Sequence, residues 1–303
     1  MEATPKTGPF VLLRAALGGM LMGLANLVPG ISGGTMLLAA GIYPRFVTAV
    51  AEVSTLKLRT ASLVLLGTVA FAAGAGIVLL AGPIKDLVVH QRWVMYSLFI
   101  GLTLGGLPVV WRMAAPVDRR VYGGAVAGFV AMAALALAQT TRAGGGGGEG
   151  NLLLLGLAGL AGASAMILPG VSGGYLLLVL GQYVPILGAI EDLKDALSAR
   201  DFGAAVEPTV GVVLPVGVGV LVGVVAVSNL LKWLLARYEK QTLGVLIGLL
   251  LGAVVGLWPF QAPVEPEIGS AVKGQGVTAE ALATLDVEDL PTERFAPTAG
   301  QGF

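Results

Sequence analysis

One short motif occurs twice in the chain and combines residue types that can bind an anion through the backbone. The first copy, residues 27–34, reads Leu-Val-Pro-Gly-Ile-Ser-Gly-Gly, and the second, residues 168–174, reads Leu-Pro-Gly-Val-Ser-Gly-Gly. Proline and glycine interrupt a helix, and the serine that follows is a favoured cap for the next one. A helix that starts at Ser32 or Ser172 would therefore present backbone N–H groups and the positive end of its dipole, which suits a phosphate or a carboxylate. The alternative is that each motif is only a kink that packs a hairpin.

Side chains near the two motifs could complete such a site. Hydroxyls follow the glycine pairs, an amide precedes the first motif, and three arginines lie within or at the ends of apolar runs, where they could equally be interfacial anchors. The predicted phosphate-binding residues are Asn26, Gly30, Ser32, Gly33, Gly34, Thr35, Gly170, Ser172, Gly173, Gly174, Tyr175, Arg14, Arg45 and Arg112.

The chain that carries these motifs is too apolar for a water-soluble fold. Of its 303 residues 56% are hydrophobic and 12% are charged, and the mean hydropathy is +0.87. Several nearly uncharged runs reach the roughly 18 residues that a helix needs to cross a bilayer. We predict an all-α integral membrane protein, a polytopic helical bundle whose 46 glycines let helices approach closely. Apolar segments are expected near 10–28, 32–51, 61–82, 93–111, 121–139, 152–168, 172–190, 209–231 and 243–260.

The spacing of the segments indicates an internal duplication. The two Pro-Gly pairs are 140 positions apart, and the segments after them repeat at a similar offset. Repeat 1 (about 10–112), a connecting helix (121–139) and repeat 2 (about 151–260) would form one transmembrane domain over residues 1–260. Each motif would form a re-entrant hairpin, because only 12 or 13 residues separate its serine from the next proline. Both arms spanning the bilayer is the alternative.

Counting membrane crossings predicts that the two repeats are inverted. One face would then carry eleven basic and four acidic residues, and the other seven basic and fourteen acidic residues. The basic side should be cytoplasmic, which places the N-terminus inside and the C-terminal tail outside. Residues 143–150 are expected to form a flexible loop, and the polar residues 261–303 a largely disordered tail.

Composition also excludes several classes of function. The chain has no cysteine, so disulfides, thiolate catalysis and cysteine-bound metals are excluded, and no metal or other cofactor is predicted. A formal net charge of zero without a basic stripe argues against a nucleic-acid partner. The single histidine, His90, is expected in a loop. Glycine-rich helix faces would permit a homodimer.

Residues 23–43 and 166–183, which contain both motifs, resemble the bacterial undecaprenyl phosphate translocase family, and the similarity extends over about residues 10–260. The resemblance implies a transporter that returns the lipid carrier undecaprenyl phosphate from the outer to the inner leaflet of the cytoplasmic membrane for reuse in cell-envelope synthesis. The chain departs from the family's pattern at Asn26, where an aspartate is usual, and at Gly174-Tyr175, where the family is less glycine-rich.

Other functions remain open at this stage. A carrier for a small water-soluble anion would share the backbone cradle but would need a sealed aqueous path. An intramembrane lipid phosphatase would need a nucleophile or general base beside phosphate-binding cations, and the sequence supplies little for it. We therefore do not expect an enzyme.

Overall fold

The computed structural model describes residues 8–26, 31–142 and 151–256, together with tail residues 261–264, 271–272, 275–276 and 292–294. The membrane part of this description is entirely helical. Its helices are α1 (Pro9–Asn26), α2 (Gly33–Ala39), α3 (Tyr43–Ser54), α4 (Thr60–His90), α5 (Arg92–Ala114), α6 (Arg119–Arg142), α7 (Leu152–Ile167), α8 (Gly173–Val179), α9 (Tyr183–Ser198), α10 (Val206–Pro208), α11 (Leu214–Arg237) and α12 (Glu239–Gly256), with a π-helical turn at Thr209–Val213 between the tenth and the eleventh.

Within the described residues, four helical stretches are long and apolar enough to cross a membrane. They are Pro9–Asn26, Thr60–Leu80, Trp93–Ala114 and Val206–Arg237, and the shorter Leu152–Ile167 is also apolar. Many large apolar side chains on these helices are exposed, Phe71 and Val78 at 80% or more. A chain with such surfaces is a multi-pass membrane protein.

Two apolar segments that we predict as continuous each contain a sharp turn. The segment predicted at 32–51 is divided into α2 and α3, and the one at 172–190 into α8 and α9. The turns are built on Gly41 and Gly181, whose φ angles of 72° and 69° are in the left-handed region that glycine tolerates best. In each turn the N–H of the next residue bonds back five positions, which ends the short helix in a Schellman motif.

The two halves of the chain follow the same order of helices. Helices α2 and α8 have seven residues each and begin 140 positions apart, as α3 and α9 do at Tyr43 and Tyr183. The long helix after each hairpin packs along the hairpin's first arm, α4 against α1 and α11 against α7. The connecting helix α6 packs along α12. The internal duplication read from the motifs therefore extends to the local backbone.

Glycines form the closest contacts between these helices, as the composition predicts. A Cβ at Gly19 would lie 2.5 Å from the Val69 carbonyl oxygen, and one at Gly219 would overlap the Gly156 carbonyl. Similar close approaches join α6 to α12 at Gly248. These three helix pairs can be so close only because the side chain is a hydrogen atom.

Other parts of the fold differ from expectation. His90 is the last residue of α4, not part of a loop, and its Nδ1 lies 3.0 Å from an Asp86 carboxylate oxygen. In the tail, where no secondary structure is expected, strands β1 (Gln261–Pro263) and β4 (Thr292–Arg294) pair antiparallel, as do β2 (Ala271–Val272) and β3 (Gln275–Gly276). The glycine-rich loop 143–150 lies outside the described residues.

Candidate functional site at the two helix breaks

Side chains of the first half are hydrogen-bonded to the backbone of the second helix break. The Tyr43 hydroxyl donates to the Ile167 carbonyl oxygen at 2.8 Å, and the Ser32 hydroxyl donates to the Leu168 carbonyl oxygen at 3.2 Å. The Gly170 N–H donates to the Thr35 hydroxyl at 2.9 Å. Residues more than 120 positions apart are thereby joined, and the two motifs form one structural unit.

These bonds satisfy backbone groups that the break leaves open. Helix α7 ends at Ile167, so the carbonyls at its C-terminus have no partner within the helix. An unpaired carbonyl in an apolar interior costs free energy comparable to that of a lost hydrogen bond. The hydroxyls of Tyr43 and Ser32 replace the missing N–H donors. The second break is therefore stabilised by the first half.

The role predicted for the first serine as a helix cap is wrong. Ser32 occupies the N-cap position of α2 with extended backbone angles, but its side chain makes no capping hydrogen bond. Its hydroxyl is used in the bond to Leu168 instead, where a carbonyl requires a donor. Ser172 is buried in the second motif.

The glycine pairs of the two motifs have different surroundings. A Cβ at Gly33 would lie 2.8 Å from Met22 Cγ, and one at Gly34 would lie 3.2 Å from the Met166 carbonyl oxygen. At Gly173 and Gly174, by contrast, the nearest atoms would be at 3.5 and 3.8 Å, which are ordinary contact distances, and both glycines are half-buried. The start of α8 is therefore more open than the start of α2.

Gly170 makes the closest backbone contact of the second motif. Its φ angle is 87°, and an added Cβ would lie 2.6 Å from the Leu249 carbonyl oxygen on α12. Both the conformation and the contact require glycine here. The break is thus fixed against the last helix as well as against the first half.

The predicted side chains around the motifs are only partly brought together. Asn26 ends α1 exposed, with its Oδ1 3.2 Å from where a Cβ at Gly33 would lie. Arg14 is twelve residues earlier on α1, about 18 Å along the helix. Its guanidinium carbon lies 4.7 Å from the Phe10 ring centroid, and its Nη1 would be 3.5 Å from a Cβ at Gly41. The Arg14 contacts are therefore at the far end of the first hairpin.

The remaining candidates are placed less closely or are not described. Arg45 is exposed in the first turn of α3, and Arg112 is exposed in the last turn of α5. Gly30 lies outside the described residues. The backbone of Tyr175 belongs to α8, but its side chain is likewise outside the description.

Sequence reasoning missed Tyr43 and Lys240. Tyr43 recurs as Tyr183 exactly one repeat later, directly after each short helix, and this periodicity could have identified it. Lys240 Nζ donates to the carbonyls of Ala114 and Pro116 at 2.6 and 2.9 Å and so caps the end of α5. No local signal in the sequence points to that pairing.

A second cluster connects α3 with α4. The half-exposed Arg59 side chain pairs with the buried Glu52 carboxylate at 3.0 Å, and the Ser62 hydroxyl donates to the same carboxylate at 2.6 Å. This arrangement fixes the α3–α4 connection. Over the residues that the structure describes, no group of three or more histidine, aspartate and glutamate side chains is arranged to hold a metal ion.

Comparison with known proteins identifies related sequences. The model of the VCA0040-like family, described as undecaprenyl phosphate translocase-like, matches residues 22–273. A polyprenyl-phosphate transporter of Vibrio cholerae is 27% identical over 296 residues, 93% of this chain and 89% of that protein. A polyprenyl-phosphate transporter of Staphylococcus aureus is 26% identical over 258 residues, 80% of this chain and 85% of that protein. No solved structure is significantly similar to the chain.

Proposed function

Because the chain belongs to the undecaprenyl phosphate translocase-like family, we propose that it carries undecaprenyl phosphate across the bacterial cytoplasmic membrane. The direction is from the outer to the inner leaflet, so that the lipid carrier is available again for cell-envelope synthesis. Two relatives that align over most of the chain are named as transporters of polyprenyl phosphates, which supports this substrate class. The chain acts as a transporter, not as an enzyme.

The observation that carries this proposal is the pairing of the two helix breaks. Broken helices in lipid are tolerated where protein or an aqueous cavity surrounds the open backbone. In several transporters paired half-helices meet near the middle of the membrane and direct their N-termini at an anionic substrate. The bonds from Tyr43, Ser32 and Thr35 to residues 167–170 hold two such breaks together here.

In the proposed site the two breaks have different roles. The hydroxyls of Ser32 and Thr35 hold the breaks together, as their bonds indicate. The phosphate headgroup contacts backbone N–H groups at Gly173 and Gly174, where the surroundings are more open, and the Asn26 amide. Two further groups belong to the proposal: Gly30, Gly33, Gly34, Gly170, Ser172 and Tyr175 complete the cradle, and Arg14, Arg45 and Arg112 attract the headgroup at the cytoplasmic exit. The polyprenyl tail stays in lipid.

We also propose that the repeats are inverted, that both hairpins are re-entrant and that the chain forms a homodimer. The contact of Arg14 with Gly41 supports the first hairpin, because it brings the end of α2 back to the level of the second turn of α1. The N-terminus is then cytoplasmic and the C-terminal tail extracytoplasmic. Accessibility labelling of tags at the two termini tests this, and labelling from the same side contradicts it.

The test of function is leaflet-resolved transport in liposomes that contain the purified protein. Undecaprenyl phosphate is expected to move, whereas the unphosphorylated polyprenol is not, because the headgroup is what the breaks recognise. Uptake of inorganic phosphate into the vesicles without lipid movement would support a carrier for small anions instead. Equal movement of both lipids would contradict recognition of the phosphate.

A further inference from the structure

The second half of the chain contains a cavity with an unusual lining. Its volume is about 830 Å³, and it lies between α7, α9 and the segment from α10 to the π-helical turn. Four of its lining residues are acidic, Asp192, Asp195, Asp201 and Glu207, and none of the described lining residues is basic. Such a cavity repels phosphate and attracts cations. It is therefore distinct from the proposed headgroup site.

A buried polar side chain lies at the inner end of the same helix face. Pro185, Ala189 and Asp192 of α9 line the cavity. Gln182 precedes them by three, seven and ten residues, which places it on that face one turn further in. The side chain is 1% exposed, and its Oε1 has no hydrogen-bond partner among the described residues. Leu180, two residues earlier, packs on the buried cluster that includes the cavity-lining Leu155.

Gln182 is also an exception to its own structural motif. It follows Gly181 in the turn that ends α8, and its N–H bonds to the Leu177 carbonyl at 2.9 Å. The residue at this position of a Schellman motif is commonly apolar, because it packs on the preceding helical turn. The first half obeys this rule with Ile42, which is equally buried. The amide at residue 182 is therefore not required by the turn.

We propose that the acidic cavity admits a monovalent metal cation, which binds at Gln182 Oε1 beside the C-terminus of α8. The oxygen is a hard ligand, and the negative end of the α8 dipole favours a positive charge. Ends of half-helices bind coupling cations in this way in other transporters. An amide is not protonated at physiological pH, so Gln182 suits a metal ion and not a proton. A divalent ion is not favoured, because the acidic side chains do not form a chelating group.

Thermal unfolding of the purified full chain tests the proposal without any transport assay, so its failure is distinguishable from failure of the proposed function. Midpoints are measured in NaCl, KCl and choline chloride at equal ionic strength. A bound ion stabilises the native state. We expect Na⁺ or K⁺ to raise the midpoint above that in choline, with saturation. Identical midpoints in all three salts would overturn the proposal.

Substitutions then locate the site. Gln182→Met keeps the length of the side chain and removes the oxygen, so the cation-dependent shift should vanish while the midpoint in choline is unchanged or higher. Gln91→Met, at an exposed position between α4 and α5, should keep the shift. Persistence of the shift in Gln182→Met, or a lower midpoint of that variant in choline, would show that the amide serves the fold and not an ion.

The route through the cavity is tested separately at its acidic wall. Neutralising both lining residues in Asp192→Asn/Asp195→Asn should weaken the apparent cation affinity roughly fivefold at low ionic strength, because each exposed charge contributes modestly. Glu191→Gln removes a charge from the same helix at a residue outside the lining and should leave the affinity unchanged. Equal effects of the two changes would contradict entry through this cavity.

Discussion

Removing the Tyr43 hydroxyl should uncouple the two helix breaks. The Tyr43→Phe change leaves the ring in place and deletes only the group that donates to the Ile167 carbonyl at 2.8 Å. A buried hydrogen bond contributes about 1 kcal/mol net, and a carbonyl left without a partner costs about 1–3 kcal/mol. We therefore expect the free energy of unfolding to fall by roughly 2 kcal/mol, close to a thirtyfold change in the unfolding equilibrium.

The assay is reversible unfolding of the purified protein in mixed micelles, followed by tryptophan fluorescence. Tyr122→Phe is the matched control, because Tyr122 is 58% exposed and its hydroxyl should contribute less than about 0.5 kcal/mol. A double-mutant cycle with Ser32→Ala should show coupling, since Ser32 donates to the adjacent carbonyl of Leu168. If Tyr43→Phe were no more destabilising than Tyr122→Phe, the idea that these bonds fasten the second break would be refuted.

Two further predictions concern helix packing and capping. Gly219→Ala should destabilise the protein by about 1–3 kcal/mol or prevent folding, because the added carbon overlaps the Gly156 carbonyl, whereas Gly217→Ala, with no atom within 4 Å, should be neutral or stabilising in the same unfolding assay; similar effects of the two would contradict the close contact of α7 and α11. Lys240→Met should lower the free energy of unfolding by about 1 kcal/mol through loss of the cap on α5, while Lys232→Met at an exposed position should not, and equal stability of the two variants would argue against the cap.

The membrane helices and the position of both breaks could be predicted from the sequence. The apolar segments give the long helices, and proline and glycine at equivalent positions give the breaks. The turns at Gly41 and Gly181 divide two predicted segments. Their sequences, Gly-Ile-Tyr and Gly-Gln-Tyr, are 140 residues apart and could have been interpreted as paired helix ends.

The contacts within the candidate site could not be predicted in the same way. The partners of Ser32 and Thr35 are more than 130 residues away, and only the tertiary fold brings them together. A serine before a short helix is by its local sequence a cap, and the carbonyl at Leu168 changes that outcome. Likewise, Gln182 is an ordinary polar residue until its burial and its lack of a partner are known.

The central claim is that the phosphate headgroup binds where the two breaks meet. Its most direct test is leaflet-resolved transport of undecaprenyl phosphate by Gly173→Val, compared with Gly101→Val in liposomes with equal amounts of folded protein. An added Cβ meets only ordinary contacts at Gly173 and open space at Gly101, so Gly101→Val controls for the burden of valine in a helix. We predict that Gly173→Val loses transport and Gly101→Val keeps it. Equal transport by both variants would contradict headgroup binding at the start of α8.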